Sequence, residues 1–227
     1  MLGLRALVRP AAARAPGCAV LRQTLPASTL TPRRFFSAAV TEADVLAVQS
    51  KWAAAIVNIS ATHKAKGDFV KVAGEAAGEL YCYGHCDVLF KPTKAAEFQF
   101  RPTGGEAMSY FVGADNVDNG YKEDGGFAIN GGKRWSKCVY ENHKIVTKGD
   151  VAMAMGNYYF TCETTGDVSK VEYTFGYQRC ADGKVRIFLH HSSVPYVSAK
   201  QIASLAEDPA KLDTALKKGG SMLQLPK

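Results

Sequence analysis

The stretch that decides the fold is KVEYTFGYQRCADGKVRIFLHHSS, residues 170–193. Two runs rich in β-branched and aromatic residues flank Ala181-Asp182-Gly183, a turn suited to a hairpin. Side chains on a strand alternate between faces. The second run therefore splits its final residues into two pairs. Arg186 and Phe188 group with His190 and Ser192. Val185, Ile187 and Leu189 group with His191 and Ser193.

Working back from this hairpin, the same texture continues. GFAIN, KCVYENHKIVTKG and DVAMAMGNYYFTC read as further strands, the last two joined at Lys148-Gly149-Asp150. VLFKPT (Val88–Thr93) and AEFQFRPT (Ala96–Thr103) read as two short strands, each ended by Pro-Thr. Between them and the main run, GGEAMSYFVG (Gly104–Gly113) reads as a short helix. The N-terminal side is helical. Thr41 is a candidate N-cap with Glu42 and Asp44 in the first turn. Val45, Val48, Trp52, Ile56 and Ile59 recur at helical spacing to about Thr62. Asp68 caps a second helix that runs to Leu80. Helices first and a run of antiparallel strands afterwards is an α+β pattern. Helices packed in the concavity of a curved antiparallel sheet make a cone open at one end, a natural place for a small ligand.

The chain has 227 residues, 47% of them apolar, which suits one domain with extensions. No apolar run reaches the ~18 residues needed to cross a bilayer, so no membrane partner is expected. Residues 1–40 hold Arg5, Arg9, Arg14, Arg22, Arg33 and Arg34, and no acidic residue. Removing those six from the 28 Lys and Arg leaves 22, against 21 Asp and Glu. The folded part is thus almost neutral, and a nucleic-acid partner is not expected. Residues 1–36 read as a mitochondrial (matrix) presequence, with a plastid as the alternative and cleavage expected between Phe36 and Ser37. Residues 41–197 form the expected domain, and 198–227 a polar tail with short helices at Ala199–Leu205 and Pro209–Lys217. Beyond Cys18, five cysteines remain, an odd number that argues for free thiols.

CYGHC (Cys82–Cys86) offers zinc-type ligands but lacks the second knuckle a structural site needs. HHSS offers an imidazole for acid–base work, without the G-x-S-x-G elbow of a serine hydrolase. His143 is expected to be exposed. No Gly-rich phosphate loop is present.

Six segments together resemble one family: DVLAVQSKW, VLFKPTKAAEFQFRPT, EAMSYFVG, AMGNYYFT, VEYTFGY and VRIFLHHSSVPY. They are similar, in order, to the iota-class carbonic anhydrases. That resemblance implies the association-domain fold of calcium/calmodulin-dependent kinase II, within the nuclear transport factor 2-like or SnoaL-like superfamily. It implies reversible hydration of CO2 to bicarbonate, a homodimer, and a site of Thr, Tyr, His and Ser. By position the Thr is Thr93, with Thr103 the rival, and the Tyr is Tyr110. Alignment with the kinase association domain favours His190 and Ser192 over His191 and Ser193. Thr93, Tyr110 and Ser192 would hold the substrate, and His190 would be base or proton relay. No metal or other cofactor is expected. Alternatives are a non-enzymatic binding or oligomerisation module, or a SnoaL-type isomerase or cyclase using Glu97 or Glu172.

Overall fold

The computed structural model describes residues 38–198, 200, 201 and 207. The presequence reading and most of the polar tail lie outside the described residues, including the expected helix Pro209–Lys217 and all of Ala199–Leu205 except Lys200 and Gln201, which are helical.

Helix α1 (Glu42–Lys64) starts at a capping box: the Thr41 hydroxyl accepts from the Asp44 N–H, and the Asp44 carboxylate accepts from the Thr41 N–H. Both N-terminal orphan donors are thereby satisfied. Its spaced apolar residues, from Val45 through Trp52 to Ile59, are all buried. Helix α2 (Phe69–Leu80) is capped by Asp68, whose carboxylate accepts from the Lys71 N–H. Strand β1 (Leu89–Lys91) and helix α3 (Gly104–Val112) follow. Then come β2 (Trp135–Lys148), β3 (Val151–Cys162), β4 (Val168–Arg179) and β5 (Val185–Ser193).

The five strands form one sheet in the order β1-β5-β4-β3-β2. Strands β2 to β5 are antiparallel neighbours, but β1 pairs with β5 in parallel, Phe90 opposite His190. The sheet is therefore mixed at its edge, where an all-antiparallel sheet was expected. The α+β class and the helices packed on a curved sheet are as expected. Trp52 of α1 lies within 5.7–6.2 Å, ring centre to ring centre, of Tyr140, Tyr158, Phe160, Phe175 and His190. One helix residue thus touches four strands across the concave face.

Two expected strands are not strands. Ala96–Thr103 is a loop, and Phe98 and Phe100 are 50% and 71% exposed. Its alternation finds no sheet partner. Instead the N–H groups of Ala96, Glu97 and Phe98 all donate to the Glu123 carboxylate, at 2.7, 3.0 and 2.8 Å. GFAIN lies in a 3-10 segment, Phe127–Gly132. Asn130 and Gly131 there have φ of 51° and 56°, which no extended strand accommodates.

Strand β5 carries the irregularity that matters most. Its pairing with β4 jumps from Gly176–Leu189 to Tyr177–Ile187, leaving Phe188 without an opposite residue. This is a β-bulge, and it inverts the alternation upstream of it. Gly176 makes room: a Cβ there would sit 2.8 Å from the Phe188 ring.

Candidate active site

The bulge corrects the face assignment read from simple alternation. Downstream of it His190 and Ser192 point inward, 3% and 1% exposed, while His191 is exposed and Ser193 half-buried. Upstream, Ile187 joins the inward face and is fully buried. Arg186 does not join His190. It turns away to a two-pronged ion pair with Asp182, at 2.9 and 2.7 Å, and Phe188 is only half-buried.

His190 is held on all sides. Its ring packs 4.0 Å from Phe175 and 4.6 Å from Phe90, centre to centre. Nδ1 is 2.7 Å from the Tyr81 hydroxyl. Nε2 is 2.8 Å from Ser192 Oγ and 3.4 Å from the Tyr158 hydroxyl. The Tyr158 hydroxyl and Ser192 Oγ also bond directly. Burial, and secondarily the neighbouring His191, pushes the His190 pKa well below its ordinary value. The imidazole is therefore neutral at neutral pH.

Tyr110, on α3, is buried, and no hydrogen bond of normal geometry reaches its hydroxyl. Burial raises its pKa, partly offset by Thr93 and the Lys94 N–H beside it. The Thr93 hydroxyl also lies near the Tyr158 phenol, whose pKa burial raises strongly against the opposing effects of Ser192 and Thr93. Thr93 is half-buried in the turn that follows β1. It is thus the threonine that the fold brings to Tyr110 and Tyr158. Thr103 is committed elsewhere, as the N-cap of α3 in a capping box with Glu106. A buried phenol so weakly paired has lost its hydration for little in return. The Tyr140 hydroxyl is buried without a hydrogen bond too.

Three members of the site were not singled out by the sequence. Tyr158 lies in a strand run with no spacing to distinguish it from the neighbouring Tyr159 and Phe160. Trp52 read only as an apolar helix position, yet its Nε1–H donates to the Tyr81 hydroxyl at 2.9 Å. Tyr81 directly follows α2 and is drawn to β5 by backbone pairing, including Cys82 N–H to the Ile187 carbonyl at 2.9 Å. No sequence signal predicts that docking.

The other candidates lie elsewhere. Glu97 is exposed, and Glu172 is on the outer face, where Ser193 Oγ reaches it at 3.4 Å. His85 and His143 are exposed. Cys82 Sγ is 3.7 Å from Cys180 Sγ in a buried contact, and all five described cysteines are free thiols. Among the described residues no three His, Cys, Asp or Glu side chains are placed to hold a metal ion, and no helix is long and apolar enough to cross a membrane.

The sequence profile of the family described as "Metal-independent carbonic anhydrase" matches residues 43–194. The chain belongs to this family. It is 39% identical over 161 residues to the metal-independent carbonic anhydrase of Nostoc sp. (strain PCC 7120 / SAG 25.82 / UTEX 2576), covering 70% of this chain and 75% of that one. Its fold is similar to the crystal structure of the iota-carbonic anhydrase from a cyanobacterium complexed with bicarbonate. The TM-score is 0.65 at 38% identity, over 70% of this chain and 95% of that one. A more distant likeness is to a nuclear transport factor 2-like superfamily protein of Salmonella enterica (TM-score 0.40, 10% identity, 69% and 92% covered). The matched span of the family profile includes every residue of the cluster around His190.

Proposed function

We propose that this carbonic anhydrase hydrates CO2 to bicarbonate reversibly, without a metal, in the cluster formed by His190, Ser192, Tyr158, Thr93 and Tyr110. The carrying observation is the convergence of buried hydroxyls on one neutral imidazole, with the Tyr110 hydroxyl left unpaired. CO2 is apolar and suits the aromatic walls supplied by Phe90, Phe111 and Phe175. Bicarbonate is an anion and needs donors. Thr93, Tyr110 and Ser192 orient CO2 and a water and donate to the charge as it develops. Each unit of pKa lowering in the attacking water corresponds to about 1.4 kcal/mol. Hydrogen bonds alone supply only part of that, so positioning carries much of the acceleration.

The test is CO2 hydration by purified protein beginning at Ser37, with metal content measured and a chelator added. Expected is hydration far above background that survives the chelator. Loss on chelation with recovery on adding one metal overturns the metal-free reading, and background-level hydration overturns the enzyme reading.

The same reading extends to assembly and location. Val146, Met153, Gly176, Leu189 and Leu89 follow one another across the outer face of the sheet, register by register. Val146, Met153 and Leu89 are 55%, 50% and 62% exposed. A second copy of this chain covering that row gives a homodimer, as the superfamily resemblance implies. Light scattering of Met153→Glu should then report a monomer. Residues 1–36 direct the chain to the mitochondrial matrix, with a plastid the rival destination. Imaging of a tagged chain and sequencing of its mature N-terminus test both.

A further inference from the structure

The hydrogen bonds around His190 have a direction that can be worked out from donor counts. An indole N–H only donates. Trp52 Nε1–H therefore donates to the Tyr81 oxygen, at 2.9 Å. The Tyr81 hydroxyl keeps one proton, and its other hydrogen-bonding neighbour is His190 Nδ1, at 2.7 Å. If Nδ1 carried the proton, Tyr81 would accept twice and its own buried O–H would have nowhere to go. Burial makes that costly, at about 1–3 kcal/mol. So Tyr81 donates to Nδ1, and the single proton of the neutral imidazole sits on Nε2.

Nε2–H then points at Ser192 Oγ, 2.8 Å away. Ser192 and Tyr158 are bonded to each other and hold two hydroxyl protons between them. One of those protons makes their mutual bond. The other is left over, on the side where Thr93 and Tyr110 lie. Nothing in this arrangement leaves an imidazole lone pair free.

We propose that Trp52 and Tyr81 are positioning residues that fix His190 as a neutral Nε2–H donor, so that the imidazole polarises the Ser192–Tyr158 hydroxyls toward the bicarbonate anion and does not act as a base. This rests on the carbonic anhydrase reading of the same site and replaces the base or relay role expected for His190 from the sequence. The surroundings agree. The ring is bounded by Trp52, Phe90, Phe175, Tyr81, Tyr158 and Ser192, with no carboxylate or ammonium among them. The outward-facing His191 beside it opposes its protonation, as Lys91 opposes that of His191. Proton removal from the attacking water therefore falls to solvent or buffer species outside this cluster.

The experiment is 15N NMR of histidine-labelled protein from Ser37 onward, in parallel with CO2 hydration. His190 is assigned by the signals lost in His190→Gln, and two-bond couplings report its tautomer. Expected is an Nε2–H tautomer that does not titrate from about pH 5.5 to 8.5. Tyr81→Phe keeps the ring and removes the donor. It should shift His190 toward the Nδ1–H form and lower kcat by roughly tenfold or more, with a smaller change in KM. An active enzyme whose His190 is Nδ1–H, or titrates in step with kcat, overturns the donor role. That result would leave the carbonic anhydrase reading standing. An Nε2–H tautomer in a protein without hydration activity overturns the functional reading instead. The wild-type spectrum decides the tautomer even if Tyr81→Phe fails to fold.

Discussion

The concave side of the sheet holds two buried polar clusters, and they are built differently. One joins α1 to β2 and β4. Gln49 and Asn142 exchange amide hydrogen bonds at 2.9 and 2.8 Å, and Gln49 Nε2 also approaches the hydroxyls of Tyr173 and Tyr177 at 3.3 and 3.2 Å. Tyr173 in turn donates to Asn142 Oδ1. The amide pair is closed on itself. The other cluster, around His190, ends in a spare hydroxyl proton and stands beside the unpaired phenol of Tyr110. A closed network holds the helix to the sheet. On the proposed reading, the open one is completed by a ligand. The sharpest way to break this distinction is Ser192→Ala. It should lower kcat/KM for CO2 by about 10²–10³-fold, the usual loss of one preorganised donor. Unfolding stability should change by no more than about 1–2 kcal/mol. Equal losses in both measurements would make the open cluster structural after all.

Gln49→Ala asks the converse. It strands the Asn142 amide and leaves two buried phenols with fewer partners, so several groups lose their bonds at once. The expected cost is on the order of 3 kcal/mol in denaturant unfolding. Hydration per folded molecule should stay within about threefold of wild type, since Gln49 makes no bond to the His190 cluster. A large fall in kcat with stability intact would join the two clusters into one functional unit.

Much of this arrangement was legible before any coordinates, and the exceptions have physical reasons. Helix α1 was readable because its capping box and 3.6-residue apolar period agree. The hairpin of β4 and β5 was readable from its turn and its alternation. His190 and Ser192 are the buried pair on β5; alternation alone left both pairs open, and only the alignment with the kinase association domain favoured this one. The bulge at Phe188 reverses the face upstream, and its only trace in the sequence is Gly176 on the opposite strand. Ala96–Thr103 has the period of a strand, but a single carboxylate on a distant loop, Glu123, takes the N–H groups that a sheet neighbour would have taken. The gap at Tyr81 and Trp52 is of another kind. Both are apolar by composition, and their polar atoms acquire a task only when α2 ends against β5. Long-range docking of that sort leaves no periodicity to find.

The smallest effect separates the two adjacent histidines by acid stability. Burial keeps His190 unprotonated in the folded state, well below the ordinary range, whereas in the unfolded chain it titrates near pH 6.5. Below that pH the unfolded state binds a proton that the native state does not. Stability is therefore fully present above about pH 6.5 and falls as the pH drops, by up to about 1.4 kcal/mol per pH unit. His191 is exposed, and its pKa is lowered less, by partial burial and by Lys91. Asp124 works the other way, because burial raises its pKa, but its window lies near the carboxylate range and hardly overlaps. Denaturant unfolding at pH 7 and pH 5 should thus show a slope that survives His191→Ala and largely disappears in His190→Gln. A slope that vanishes in His191→Ala alone would mean that the outward histidine is the one kept neutral, and the assignment of faces on β5 would have to be reversed.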